Sequence, residues 1–293
     1  MRFHTPKTFE NAVAIAAAAS GQTRFLAGGT DVLVQLRAAM VLPDDLIDLK
    51  HIPGVKEITR TSDGGWRIGI AVSGAELGRH AGIGADYPGV VEGMQLVGST
   101  QVQGRATLVG NLCNGSPAAD SVPAMVAAGA WVSVIGPQGV RDVKVEDIPA
   151  GPGRTTLKAG ELITGITLPP RGANAGDAYL RFIPRTEMDI AVVGVAVNLR
   201  LDGDRISEAR VALGAVAPKI LLVPAAAQAI IGTMLDDAAL DDAALDALAA
   251  AAIAASTPIS DKRGTAEFRK DIVGVLVKRA ARIALDRAKG ATK

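Results

Sequence analysis

Cysteine is almost missing from this chain: Cys113 is the only one in 293 residues, so no disulfide can form within it. Iron–sulfur clusters, whose usual ligation takes a full set of cysteine thiolates, are excluded from it as well. Histidine is scarce too. His4, His51 and His80 stand apart without the spacing of metal ligands, each reads as a surface or packing residue, and no protein-bound metal site follows. Aromatic residues make up only 3%, and a formal net charge of +1 leaves no basic surplus for nucleic acid. The longest apolar runs, such as ALDALAAAAIAAS, fall short of the roughly 18 to 20 residues of a membrane span, so no transmembrane segment is expected. The opening MRFHTPKTFENAVAIAAAAS carries Glu10 and Asn11 just ahead of its alanines and lacks a basic lead. It reads as an amphipathic helix of a cytoplasmic protein, not as a signal peptide.

What is present is a soluble, globular composition, 48% hydrophobic with 33 glycines, in a chain long enough for two or three compact units. The first unit reads as a helix, then TRFLAGGTDVLVQLRAAM as a strand entering a glycine turn and leaving as a helix, then DDLIDLK as a second strand. TRTSDGG gives a polar, turn-prone break after it. The second unit holds the strand WRIGIAV, helices from SGAELGRHAG and YPGVVEGMQLVG, the hairpin AWVSVIGPQGVRDVKV and the strand ELITGITLP. PPRGANAGD reads as a linker. Long strands follow, AYLRFIPR and IAVVGVAVNLRLDGDRISEARVALGAV with a hairpin turn at Asp202-Gly203, and then the helices PAAAQAIIG, DDAALDALAAAAIAAS and GTAEFRKDIVGVLVKRAARIALDRA. The tandem DDAALDDAAL is too short a period to define a fold and reads as a solvated helix start, its acids near the positive end of the helix dipole. The class is α+β. The expected division is 1–58, a small α/β unit of β-α-β type, 59–172, an α+β unit, and 176–289, a C-terminal antiparallel sheet with helices.

Two glycine loops carry the chemistry. In AGGTD, Ala27 to Asp31, glycine permits positive φ and lets another molecule approach the backbone, while the following helix start adds unsatisfied N–H donors. Phosphate is the natural guest, although the spacing matches neither the dinucleotide fingerprint nor the P-loop. An ordinary tight turn capped by Thr30 or Asp31 is the other reading. The second loop, in ATLVGNLCNGSPAADSVPAM, offers Thr107, Gly110 and Asn111, with Ser116-Pro117 placed as N-cap and first residue of a helix. A Cβ at Gly28 or Gly110 would block backbone approach. Asp120 suits either sugar hydroxyls or a structural place near the helix start, and Cys113 reads as a small buried residue.

FLAGGTDVLVQLR, ATLVGNLCNGSPAADSVPA, ELITGITLP, RTEMDIAVVGVAV and ISDKRGTAEFRKDIVGVLVKRA occur in that order. Together they resemble the FAD-binding medium subunit of the molybdenum hydroxylases, the family of carbon monoxide dehydrogenase and bacterial xanthine dehydrogenase. The resemblance implies a two-subdomain FAD-binding fold of the vanillyl-alcohol oxidase and p-cresol methylhydroxylase type, followed by the family's C-terminal domain. It implies that Phe25, Leu26, Ala27, Gly28, Gly29, Thr30, Asp31 and Val32 wrap the diphosphate of a non-covalent FAD. Thr107, Leu108, Val109, Gly110 and Asn111 do so from the other side. Asp120 then binds the flavin's sugar portion, Ile163 contacts the flavin, and Arg181 lies near the isoalloxazine ring. Val109 stands where the family has a glycine, Gln103 replaces a common Arg, Phe268 replaces a Tyr, and the four-cysteine insert of one branch is absent.

No side chain is expected to be catalytic, since no nucleophile, base or metal set accompanies the loops; the flavin carries the redox chemistry. The function implied is an FAD-dependent oxidoreductase subunit that takes electrons from a small [2Fe-2S] subunit, served by a large molybdopterin subunit, and passes them to an external acceptor. A dimer of heterotrimers is expected. Two alternatives use the same residues: a self-sufficient flavin oxidase of the same fold, and a non-catalytic flavin-binding scaffold.

Overall fold

Three short strands, Arg2–His4, Asp45–Asp48 and Thr23–Leu26 in spatial order, pair in parallel at the start of the chain in the computed structural model, which describes residues 1–185, 188–235 and 239–290. The middle strand is buried at every position, as the centre of a parallel sheet requires. The edge strand Arg2–His4 is an addition to the sequence reading, too short to show a period. It is pinned because Arg2 donates to both carboxylate oxygens of buried Asp45 at 2.7 Å and His4 Nε2 lies 2.7 Å from Asp45 Oδ1. The expected helix forms as Phe9–Ala18, capped by the Thr8 hydroxyl, which accepts from Asn11 N–H. The strand, glycine turn, helix and strand of the first unit follow as Thr23–Leu26, Val32–Arg37 and Asp45–Asp48.

A five-stranded antiparallel sheet comes next, in the order Ile58–Arg60, Trp66–Gly69, Leu162–Leu168, Trp131–Gly136 and Gly139–Lys144. Between its second and third strands in sequence lie short helices, beginning with Gly74–Arg79, whose start is a full capping box of Ser73 and Glu76. Ser116-Pro117 starts no helix. The chain has already been helical over Leu108–Cys113, Ala118 N–H donates to Ser116 Oγ at 3.2 Å to close a turn, and the next helix, Ser121–Ala127, begins only after Asp120.

The C-terminal sheet runs Ala175–Phe182, Val193–Asp202, Arg205–Gly214 and Leu221–Leu222, antiparallel throughout, with Gly203 at φ +57° in the expected hairpin turn. PPRGANAGD is a linker only as far as Asn174, because the strand Ala175–Phe182 takes its last three residues and Arg171 reaches buried Asp177 at 3.2 Å. Helices Pro224–Gln228, Asp242–Ala255 and Ala266–Ala288 complete this part. The long last helix lies so close to the sheet that a Cβ on Gly176 would stand 1.9 Å from Ala284 O. The first copy of the DDAAL tandem falls partly on 236–238, outside the described residues, as do positions 186 and 187 of RTEMD. The second copy behaves as expected: Asp241 caps Asp242–Ala255 by accepting from Ala244 N–H.

Apolar side chains of the first two sheets share one core, and the C-terminal sheet and helices form a second. Helix Ser121–Ala127, buried at every position, packs against the C-terminal strands, whose Tyr179, Ala196 and Ala212 join the first core. Among the described residues no helix is long and apolar enough to cross a membrane.

Candidate functional site

A cavity of about 680 Å³ lies between the first and second sheets, within the size range of small-molecule sites. Three segments wall it: residues 23–35 with Met40 and Val41, residues 106–114, and residues 153–163.

In the first segment the parallel strand Thr23–Leu26 delivers the chain to two glycines that do different jobs. Gly29 is left-handed, at φ +86°, a conformation that a Cβ disfavours. Gly28 has an ordinary φ, but a Cβ there would stand 2.0 Å from Arg105 O and 2.9 Å from Arg105 C. The two loops therefore meet backbone against backbone at Gly28. Leu33 N–H donates to Gly29 O at 3.1 Å and starts the helix Val32–Arg37, whose first amides have no partner within it. Asp31 does not cap that helix with its side chain, contrary to the sequence reading, because its own backbone is already helical. Desolvation by the cavity walls raises its pKa above the usual carboxylate value, opposed by a hydrogen bond with the Asn114 side chain.

The second segment is a capped helix start. Thr107 is buried, and its hydroxyl accepts from Gly110 N–H at 2.9 Å, which leaves the amides of Leu108 and Val109 as the free donors at this end. Gly110 is thus no open backbone: its N–H serves the cap, and a Cβ on it would meet only Thr107 Oγ1, at 3.0 Å. Val109 is helical, so the glycine the family has at this position is not needed here for positive φ. The Asn111 side chain accepts from Ser121 Oγ at 2.7 Å, tying this loop to the buried helix behind it.

The third segment escaped the sequence reading except at Ile163. It is a strap whose Gly153 N–H donates to Gly115 O at 3.0 Å, with Gly153 and Gly160 both left-handed. Lys158 and Glu161 of this strap line the cavity, and Glu161 is held on both oxygens by Arg141 at 2.8 and 3.0 Å. The signal available was the pair of glycines flanking Lys158 just ahead of ELIT. Arg24, Gln35, Met40, Val41 and Val97 also line the cavity and were not foreseen.

The cavity wall includes Phe25, Ala27, Gly28, Gly29, Thr30, Asp31 and Val32 from the first predicted set, and Thr107, Val109, Gly110, Asn111 and Ile163 from the others. Four expected residues do not line it. Leu26 and Leu108 are buried, because alternation along a strand and the turn of a helix carry them behind their loops. Asp120 and Arg181 are turned on each other in a buried ion pair at 2.7 Å, with Tyr179 OH donating to Asp120 at 2.8 Å and Arg181 also donating to Leu96 O at 2.8 Å. Burial pushes the Asp120 carboxyl up to about 6 against the pull of Arg181 and Tyr179. Cys113 is a further correction: it is exposed on the cavity wall and not packed in a core. Among the described residues no group of three or more His, Cys, Asp or Glu could hold a metal ion.

The geometry fits a dinucleotide: two helix starts aim free amides into one cavity, and the walls meet only because Gly28 lacks a Cβ. Comparison with known proteins agrees. Residues 1–171 match the family described as FAD binding domain in molybdopterin dehydrogenase, and residues 178–284 match the CO dehydrogenase flavoprotein C-terminal domain. The carbon monoxide dehydrogenase medium chain of Afipia carboxidovorans is 33% identical over 292 residues, covering 98% of this chain and 97% of its own. The xanthine dehydrogenase FAD-binding subunit of Escherichia coli O157:H7 is 31% identical over 217 residues, 74% of each chain. A solved carbon monoxide dehydrogenase from Hydrogenophaga pseudoflava that lacks the Mo-pyranopterin moiety of its cofactor superposes with a TM-score of 0.91 at 31% identity, covering 98% of both chains. This chain belongs to the family of FAD-binding medium subunits of the molybdenum hydroxylases, an oxidoreductase family that includes these carbon monoxide and xanthine dehydrogenase subunits.

Proposed function

We propose that the chain is the electron-transfer flavoprotein of a multi-subunit molybdenum hydroxylase, with 1–58 and 59–172 as its two cofactor-binding subdomains and 176–289 as a C-terminal domain of sheet and helices. Its partners are a small [2Fe-2S] subunit that donates electrons and a large molybdopterin subunit that oxidises the substrate, assembled as a dimer of heterotrimers. The observation that carries this reading is the cavity walled by two amide-rich helix starts in a chain whose only cysteine cannot ligate a cluster. FAD bound there supplies a redox centre that accepts electrons and releases them to an external acceptor.

The amides from Gly28 to Val32 and of Leu108 and Val109 hold the diphosphate, and the absent side chain of Gly28 lets both sets reach it. Ile163 supplies apolar contact to the flavin. Asp120 and Arg181 act from behind the wall: Arg181 holds Leu96 O beside cavity-lining Val97, and Asp120 precedes Ser121, which holds Asn111. Among the described residues the cavity wall contains neither His nor Tyr, which favours a non-covalent cofactor. Acid precipitation of the purified chain should release FAD intact. Rapid mixing with a candidate aldehyde or N-heterocycle should bleach the flavin in the reconstituted complex and leave it oxidised in the isolated chain. Rapid bleaching of the isolated chain would overturn the relay reading in favour of a self-sufficient oxidase.

A further inference from the structure

The second cavity loop has spent much of its own backbone. Gly110 N–H serves the Thr107 cap, and Asn111 N–H donates to Thr107 O at 3.0 Å within the helix. What the loop can add to the amides of Leu108 and Val109 is side-chain chemistry. Asn111 lines the cavity with a carboxamide, an acceptor at one end and donors at the other. Which end faces inward decides whether it attracts a phosphate or repels it.

Ser121 makes that choice. Its backbone N–H, at 3.4 Å, and its hydroxyl, at 2.7 Å, both meet Asn111 Oδ1. A backbone N–H only donates, so the atom facing it is the carboxamide oxygen and the NH2 lies on the far side. Asn111 Nδ2 donates to no protein group among the described residues and is no buried orphan, so it opens on the space that Asn111 lines. Ser121 is fully buried and cannot follow if Asn111 turns. It starts helix Ser121–Ala127, which side chains of the C-terminal sheet grip at both ends. Tyr179 and Arg181 hold Asp120, Arg210 donates to Val126 O at 2.9 and 3.2 Å, and Asn198 donates to Ala127 O at 3.1 Å. Gly93 closes the near side, since a Cβ there would stand 3.1 Å from Ser121 Cα. Among the described residues the C-terminal sheet lends none to the cavity wall, yet it fixes the group behind that wall.

We infer that Ser121 is a positioning residue for the cofactor: it holds Asn111 Oδ1 behind the wall and so turns the carboxamide NH2 into the cavity, where it donates to the diphosphate. This rests on the function proposed above, with FAD as the occupant. The two ends of the carboxamide carry opposite partial charge. Released from Ser121, the group turns about its last side-chain bond and presents its oxygen as readily as its NH2, so the cofactor has to order it on binding.

The test is FAD titration of the whole chain, stripped of flavin, near neutral pH and at a temperature where circular dichroism shows every variant folded. The variants are Ser121→Ala, Asn111→Ala, Asn111→Asp and the Ser121→Ala/Asn111→Ala pair, beside the wild type. Asn111→Ala should weaken binding about tenfold, the loss of one hydrogen bond to a charged group, and Ser121→Ala about threefold or more. Asn111→Asp keeps the bond to Ser121 but sets an anion where the NH2 was. It should weaken binding more than Asn111→Ala, although it preserves the shape of the side chain. In the Asn111→Ala background Ser121→Ala should have no further effect, as expected of a residue that acts only through another. A merely structural tie would lower the melting temperature and leave every dissociation constant in place, which overturns the inference. So would an Asn111→Asp chain that binds as well as Asn111→Ala or better, or a Ser121→Ala loss that persists in full in the double variant. A wild-type chain that binds no FAD would instead overturn the proposed function.

Discussion

The two loops facing the cavity reach the same end by opposite means. The first, 27–31, is held open by what its residues lack: Gly28 has no Cβ to strike Arg105 O, and Gly29 none to resist φ +86°. The second, 107–111, is held by what its residues have, a Thr107 hydroxyl that caps the helix and an Asn111 amide bound to Ser121. A glycine in a cofactor loop is thus no single signal. Gly28 is a packing requirement, Gly29 a conformational one, and Gly110 is neither, since it sits in the first turn of a helix with its N–H already used.

The hardest blow to this contrast is Gly28→Ala. Its Cβ meets backbone, which cannot rotate away, so the two loops must part. At about 1.5 to 3 kcal/mol for each charge-assisted bond lost, FAD binding should weaken by about two orders of magnitude or more, read from FAD content and from titration of the stripped chain. Thermal denaturation should show a lower melting point as well. Wild-type binding in this variant would remove the claim that the loops are joined there.

Gly29→Ala sharpens the comparison from the conformational side. The left-handed φ costs about 1 to 2 kcal/mol for an alanine, and the neighbours it meets are the flexible tips of Leu26 and Leu33 at 2.9 and 3.1 Å. FAD binding should fall about tenfold, measured by the same titration. Thr107→Ala removes the second loop's device and should cost about 1 kcal/mol of stability, up to about 2, in urea denaturation. Gly110→Ala should do almost nothing. Alanine gains about 0.5 to 1 kcal/mol over glycine inside a helix, and its one close neighbour is the Thr107 hydroxyl at 3.0 Å. Loss of FAD from Gly110→Ala, with Gly28→Ala unharmed, would invert the whole comparison.

A smaller effect comes from two buried carboxylates outside the cavity. Burial pushes Asp120 and Asp177 up to about 6 in the folded chain, above an ordinary value of 3.8, against the opposing charges of Arg181 and Arg171. Each therefore binds its proton more tightly when folded. Their contribution to the unfolding free energy is fully present below about pH 4 and is lost as pH rises through about 6. Urea titrations across that window should show Asp120→Asn with a less negative dependence on pH than wild type; an identical slope would mean that Asp120 is not desolvated. The least effect of all belongs to Cys113→Ser, which should keep FAD and turnover in the assembled enzyme. A thiol reagent should label Cys113 in the FAD-free chain and fail once FAD fills the cavity it faces.

Much of this was legible before any coordinates. Strand, turn and helix periods announced the first unit, the hairpin Trp131–Gly136 to Gly139–Lys144, the long C-terminal strands and the three last helices, because each period repeats over enough residues to be read locally. The five ordered motifs pointed to the family, and both glycine loops do line one cavity. The misses share a cause. Arg2–His4 is a strand only because a distant Asp45 binds its side chains, and Ser116-Pro117 looked like a helix start only because its local chemistry permits one. The pairing of Asp120 with Arg181 at 2.7 Å was likewise invisible, since the two stand 61 residues apart.

By itself the sequence determined what this chain cannot hold and what its loops can do. One cysteine rules out a cluster, and glycine beside a helix start offers amides, since both are properties of residues and their neighbours along the chain. Only the tertiary structure decided which glycine mattered and for what reason. It alone shows that Gly28 faces Arg105, that Gly115 backs the strap at Gly153, and that helix Val32–Arg37 lies open beside the cavity. Such facts depend on pairs of residues far apart in sequence, and close packing, which no local pattern encodes, sets the distances between them.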